Sequence, residues 1–170
     1  MEPPGGRCRT TAGRDPQGGA VGAAFLLLLP VILAALGLVL DGSRLVLTRA
    51  HAQAVADFAS LAGVQEVDEE ALARGEPALR AGAAAATARL WAESGLRRAF
   101  GEEVARRAVI EVVVINGSPS QPRRHPWSGR RVEEPTVGVR LVVPVALAWR
   151  PAAGAVRLTV AADASVARAP

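Results

Sequence analysis

The residues best suited to chemistry are few and scattered. His51, His125 and Cys8 are the only soft metal ligands in the chain. A structural zinc site takes four ligands at short, recognisable spacings, and these three lie far apart. Ser, Thr and acidic residues have no base set beside them, so a nucleophilic constellation is missing. No glycine-rich phosphate loop follows a strand. Asp68-Glu69-Glu70, Glu102-Glu103 and Glu133-Glu134 read as solvated acidic runs. The one gathering with recognition chemistry is Arg123, Arg124, Arg130 and Arg131 around Trp127, in a loop rich in Pro, Gly and Ser. Guanidinium groups around an aromatic ring suit a protein partner or lipid headgroups. A nucleic-acid role needs basic residues gathered on one face with aromatics among them; this loop is the only such gathering, and with net charge only +4 and Arg and acidic residues interspersed elsewhere, a partner or headgroup contact is the reading preferred for it. These residues predict no enzyme, no cofactor, no metal, no small-molecule substrate and no nucleic acid. What remains is a role carried by contacts.

Contacts need elements to carry them, and the first is decided by Gly18 to Leu40, a stretch without a charge. At 1.5 Å per residue such a helix spans the roughly 30 Å hydrocarbon core of a bilayer. Pro30 lies inside it, and in a membrane helix a proline kinks rather than ends the element. A removable secretory signal would have a shorter apolar core and a small-residue cleavage site close behind it. Here the nearest such site, Ala50-His51-Ala52, comes after Asp41, Arg44 and Arg49, so a retained anchor is predicted. Arg7, Arg9 and Arg14 outnumber Glu2 and Asp15 before the span, which places the N-terminus in the cytoplasm. The expectation is a single-pass protein of the cytoplasmic membrane with its bulk extracytoplasmic. Cys8 has no partner for an intramolecular disulfide; beside a membrane helix it is either incidental or a palmitoylation site.

The remaining 130 residues allow one small domain. All twenty basic residues are Arg, Tyr is absent, and three Phe and three Trp are the only aromatics of size. The Arg, Ala and Gly excess reads as coding bias, and it leaves a light core of Ala, Val and Leu.

Residues 1–17 read as a disordered tail. The apolar helix continues past residue 40 to about Glu66, because Leu45, Leu47, Ala50, Ala54, Phe58 and Leu61 recur at helical spacing. A polar break follows, with room for one helical turn. A second helix is predicted over 77–100, with Pro77 in its first turn, Leu79, Ala83, Ala86 and Leu90 as its apolar stripe, and Gly101 as terminator. After residue 108 the period changes to two. Strands are predicted over 109–115, 137–149 and 156–166, the last two joined by a turn at 151–154 into an antiparallel hairpin. Pro144 donates no ladder bond, so its strand is expected to be an edge, or bulged there. The loop 116–135 is long for a compact domain, which marks it as functional or mobile. The predicted fold is α+β: residues 18–40 a membrane helix, 41–66 its extracytoplasmic continuation, and 77–170 a small domain with a three-stranded antiparallel sheet.

Two pairs on the first helix invite a reading. Asp41 and Arg44, three apart, share a helix face at the membrane exit. Gln53 and Asp57, four apart, are placed to hydrogen-bond along the helix or to face a neighbouring subunit. Ala50, Ala54, Ala56, Ala59, Ala62 and Gly63 permit close helix approach.

The order of these features resembles a known family. Gly19-Ala-Val-Gly-Ala-Ala-Phe25-Leu, then Leu29-Pro30-Val, then Asp41-Gly-Ser-Arg44, then Ala52-Gln-Ala-Val-Ala-Asp57-Phe-Ala-Ser-Leu-Ala62 is similar to the N-terminal region of the TadE/TadG family of tight-adherence (Flp) pilus systems. The resemblance covers about residues 18–63. It implies a pilin-like, non-enzymatic assembly component whose partners are the bilayer and other pilin-like or Tad-system membrane proteins. It also points to Gly18 and Gly19 as positions of prepilin-peptidase processing. The family's Glu five residues beyond that glycine is replaced by Ala23 or Ala24, which favours an uncleaved, membrane-retained component. The other reading is a membrane-anchored extracytoplasmic binding or sensor domain unrelated to pili.

Overall fold

The computed structural model describes residues 17–147 and 155–166, with the side chains of 17–21 and 23 left aside. Cys8, the N-terminal basic residues and the turn at 151–154 lie outside them. Two compact units are present, 1–40 and 41–170.

Helix α1, Gln17–Val64, is one unbroken element that includes Pro30. In the first unit its side chains from Phe25 to Leu40 are almost all exposed, and they are overwhelmingly large and apolar. From Ala24 onward α1 is long and apolar enough to cross a membrane.

In the second unit α1 packs against α3, Ala81–Phe100, and both cover one face of a sheet. The sheet contains β1 (Val109–Ile115), β4 (Thr136–Val145) and β5 (Val156–Ser165), in the order β1-β4-β5, antiparallel throughout. Between β1 and β4 the chain forms a two-stranded ribbon, β2 (Arg123–Arg124) with β3 (Arg131–Val132). A one-turn helix, α2 (Glu69–Ala73), has its N-terminus capped by the Asp68 carboxylate, which accepts from the Ala71 N–H at 3.0 Å. Gly101, at φ +82°, ends α3 and opens α4, Glu102–Arg107. A side chain is strained in that left-handed region, so glycine fits there.

The α+β reading holds, and four details differ from expectation. Residues 77–80 are extended rather than helical. Leu79 bridges Val67, the Asp68 N–H bonds the Ala78 carbonyl at 2.9 Å, and Asn116 takes both the N–H and the C=O of Leu79, each at 2.9 Å. Tertiary bonds have claimed the backbone groups that a first helical turn would leave to solvent.

The buried stripe of α3 is Ala84, Ala88, Ala92 and Leu96, not Ala83, Ala86 and Leu90. Likewise α1 buries Ala52, Ala56, Ala59 and Gly63, while Leu47, Phe58 and Leu61 face outward. The helices touch along small residues. A Cβ on Gly63 would lie 3.0 Å from both the Ala84 carbonyl oxygen and the Ala88 Cβ, and one on Gly95 would lie 2.8 Å from Val55 Cγ1. Such close approach leaves little room for bulk at these points, so bulk comes from Leu96 at the end of the stripe and from the sheet: Val137, Val139, Leu141 and Val143 are buried beneath the helices.

Pro144 belongs to the central strand, not an edge. The β1 pairing ends at Val142, however, so Pro144 stands where β4 has lost that neighbour and pairs only with Arg157 of β5. A missing donor is tolerated at such a local edge. The loop 116–135 holds a paired ribbon rather than an irregular excursion.

Candidate functional site

On α1, Asp41 is buried while Arg44 is exposed. Arg44 lines a shallow cleft with Thr48, Phe100, Val104 and Val143. The Gln53–Asp57 pairing is made: the Gln53 amide donates to Asp57 Oδ1 at 3.0 Å and also to the Ala161 carbonyl of β5 at 3.0 Å. Gln53 therefore ties α1 to the sheet within one chain. Gly18 and Gly19 fall in the first turn of α1.

The outer face of α1 carries the larger apolar groups. Phe58 is 66% exposed and Leu61 51%. On α3, Leu90 (61%) and Trp91 (49%) stand away from the buried alanine stripe. Exposed side chains of this size mark a contact surface where they adjoin one another. His51, also exposed, has its ring 6.4 Å from that of Phe100.

The arginine loop is organised by a residue that the sequence left as an ordinary loop position. His125, 2% exposed, lies between β2 and β3 on the sheet face opposite the helices. Alternation along β4 turns Val137, Val139 and Leu141 toward the helices and leaves Gly138 and Arg140 on that other face. His125 Nδ1 accepts from the N–H groups of Trp127 at 3.3 Å and Ser128 at 3.4 Å. An acceptor at Nδ1 assigns the proton of the neutral ring to Nε2. Nε2 stands 3.1 Å from Asp163 Oδ1, within reach of the carboxylate but off the line of its N–H. Gly138 makes the room: a Cβ there would lie 2.9 Å from Asp163 Oδ1 and 3.0 Å from His125 Nε2.

Backbone bonds complete the pin. The His125 N–H donates to the Arg130 carbonyl, and the Gly129 N–H donates to the His125 carbonyl, each at 2.8 Å. Gly129, at φ +67°, closes the turn. Trp127 meets the His125 ring edge-on at 5.3 Å between centroids, and the Arg140 guanidinium lies 5.1 Å from the Trp127 ring centroid. Arg140 is itself held by Glu111 of β1, with Nε donating to Oε2 at 2.7 Å.

The four arginines predicted as a group do share this ribbon, on different terms. Arg130 lies 3.7 Å from Asp163 and Arg131 2.9 Å from Glu133. Arg123 and Arg124 are exposed, and the register sets Arg124 directly opposite Arg131. Like charges facing each other across a ladder are unfavourable; the buried His125 and Val132 hold the ribbon closed against that cost. The signal for His125 was its place in His-Pro-Trp-Ser-Gly, a turn sequence. Nothing local pointed to Asp163.

Among the described residues no group of three or more His, Cys, Asp or Glu is arranged to hold a metal ion. The clefts are shallow and mixed in charge. One of them has Arg89, Glu93, Arg97, Glu102 and Arg106 around it. This arrangement suits recognition by surfaces, through an apolar helix layer on one side and a guanidinium ribbon on the other.

Residues 18–66 match the family model Tad, Flp pilus-assembly TadE/G-like. The match takes in α1 from its second residue to just beyond its end, less than a third of the 170 residues. No curated protein and no solved structure matches the chain.

Proposed function

We propose that the chain is a non-enzymatic, membrane-anchored and pseudopilin-like component of Flp, tight-adherence pilus assembly. It acts by packing helix against helix with other pilin-like or Tad-system membrane proteins. The observation that carries this reading is where the family match falls. It covers the one helix among the described residues that is apolar enough for lipid and that, further along, carries outward Phe58 and Leu61.

The anchor restricts the protein to the plane of the cytoplasmic membrane, N-terminus inside, with the α+β unit extracytoplasmic. Lateral confinement raises the effective concentration of partners, so modest contact areas suffice for assembly. The processing glycines, Gly18 and Gly19, lack the glutamate that the family places five residues on, because Ala23 and Ala24 stand there. Retention of the full chain as a scaffold follows from that substitution.

The test is complementation. In a host lacking its own copy, the wild-type chain is expected to restore surface pili, whereas a Phe58→Ser/Leu61→Ser double variant reaches the membrane and does not. Full piliation by the double variant would remove the packing mechanism. Intact mass from isolated membranes reads the processing: Met1 retained supports the scaffold, and a mature end at Gly19 or Ala20 supports a cleaved subunit.

A further inference from the structure

Of the two histidines, His51 is exposed and His125 is buried, with 1% of its side chain accessible. Histidine is the side chain that ordinarily changes charge between about pH 5 and 8. The charged groups around the buried ring come from each element packed on it. From β5, Asp163 brings Oδ1 to 3.1 Å from Nε2, and Arg130 of the ribbon stands 3.7 Å from the other oxygen of that carboxylate. From β4, Arg140 lies across the Trp127 ring and is held by Glu111 of β1. Gly138 and Val113, which meet beside the ring, carry no charge. On the ribbon itself, Arg124 faces Arg131 and Arg123 is exposed. The helices cover the other face of the sheet.

The two nitrogens of this ring face opposite demands. Nδ1 accepts from the N–H groups of Trp127 and Ser128, at 3.3 and 3.4 Å, so the neutral ring carries its proton on Nε2. A second proton has one place to go, Nδ1, where two hydrogens already point. An imidazolium has two donors and no acceptor, so it cannot keep those two bonds. At Nε2 the sign is reversed. That atom has no hydrogen-bond partner among the described residues, yet it stands beside the Asp163 carboxylate, and a positive ring is drawn to it. The cation is repelled by the turn and attracted by β5.

We infer that the ribbon is a proton-operated latch: uptake of a second proton by His125 leaves the ring with Asp163, releases the turn at 126–129 and swings Trp127 off Arg140, while the three-stranded sheet stays folded. It does not depend on the assembly role proposed above. Few bonds oppose the release. Besides the two at Nδ1, the turn is closed by the His125 N–H on the Arg130 carbonyl and the Gly129 N–H on the His125 carbonyl. The repulsion of Arg124 and Arg131 pushes the same way. Ser128, Gly129 and Arg130 are exposed and Trp127 is half-buried, so freed N–H groups meet water. The sheet keeps its own ladders and its core on the opposite face. The closed turn accepts only the neutral ring, whereas the open turn accepts both forms. The closed-to-open ratio therefore falls as pH falls, by at most about tenfold per pH unit for one proton. The output is a changed recognition surface, with the Trp127 indole and the Arg140 guanidinium no longer joined.

The experiment uses the full chain in liposomes with Trp91→Phe and Trp149→Phe, which leaves Trp127 as the one tryptophan. Quenching of its emission by acrylamide, a neutral probe, reads how far the indole is exposed. Between about pH 8 and about pH 4 the quenching constant is expected to rise at least about twofold, reversibly, with the strand signal in circular dichroism unchanged. His125→Gln offers the turn an acceptor that does not titrate, and its quenching should be flat across the range. Asp163→Asn keeps the ring but removes the carboxylate that draws the cation, and its response should move to lower pH. Quenching that is flat in the parent chain overturns the latch, as does a response that persists in His125→Gln. A response unmoved by Asp163→Asn also overturns it, and one abolished there assigns the trigger to Asp163 instead. Strand signal lost together with the turn shows unfolding of the whole unit and overturns the local release.

Discussion

Nε2 of His125 stands 3.1 Å from Oδ1 of Asp163, and Gly138 lies beneath both, leaving no room for a further carbon. A ribbon of two short strands would be marginal alone; here one buried ring packs it against Gly138 and Asp163 of the sheet. Replacing His125 with Ala removes the acceptor for two backbone N–H groups and empties the space under the turn. The expected cost is about 1–3 kcal/mol. Faster amide exchange at Trp127 and Ser128 than in wild type, with the β1-β4-β5 amides still protected, is the measurable outcome. Uniform loss across the sheet would show that the ribbon and the sheet unfold together.

Gly138→Ala tests the same junction by wedging rather than emptying. Its Cβ would press on Asp163, His125 and Val113 Cγ1 at 2.9–3.0 Å. Overpacking of this kind costs on the order of 1–3 kcal/mol. A thermal midpoint equal to wild type would mean that the contact relaxes freely.

Asn116→Ala removes two hydrogen bonds at once, to the N–H and to the C=O of Leu79. Each neutral bond contributes roughly 0.5–1.5 kcal/mol net, and an orphaned partner adds to the loss. Denaturant unfolding should place this variant about 1–3 kcal/mol below wild type. Asn116→Asp keeps an acceptor for the Leu79 N–H and should recover part of the difference.

Gly63→Val puts bulk where α1 meets Ala84, Ala88 and Val137. The second unit is expected to lose about 1–3 kcal/mol or more, whereas Leu61→Val on the outer face of the same helix should stay within roughly 0.5 kcal/mol of wild type. Thermal melts of the two variants side by side check the pair, and equal midpoints would contradict the packing of α1 on α3.

Much of this architecture was legible because it rests on period. The Leu-dense run, the change from helical spacing to alternation after residue 108, and Gly101 as a stop all carry local signals. The buried stripe of α3 was not legible. In a helix where eight of twenty residues are alanine, spread around the wheel, hydrophobic contrast fades, and Leu90 drew the reading to the wrong side. Residues 77–80 went astray for another reason: Pro77 suits a helix start, and only Val67 and Asn116, distant in sequence, say otherwise. The arginine group was visible by composition, but its opposed register and the His125–Asp163 pin depend on a pairing across 38 residues that no spacing rule encodes.

The seam of alanine and glycine between α1 and α3 also sets the terms on which this surface can change. Along that line a single added methylene has nowhere to go, so drift there is confined to residues no bigger than those present. Positions such as Phe58, Leu61, Leu90 and Trp91 touch no such limit. Two related chains could therefore keep one interior while differing freely in what they show a neighbour, and partner choice could be rewritten without refolding the scaffold.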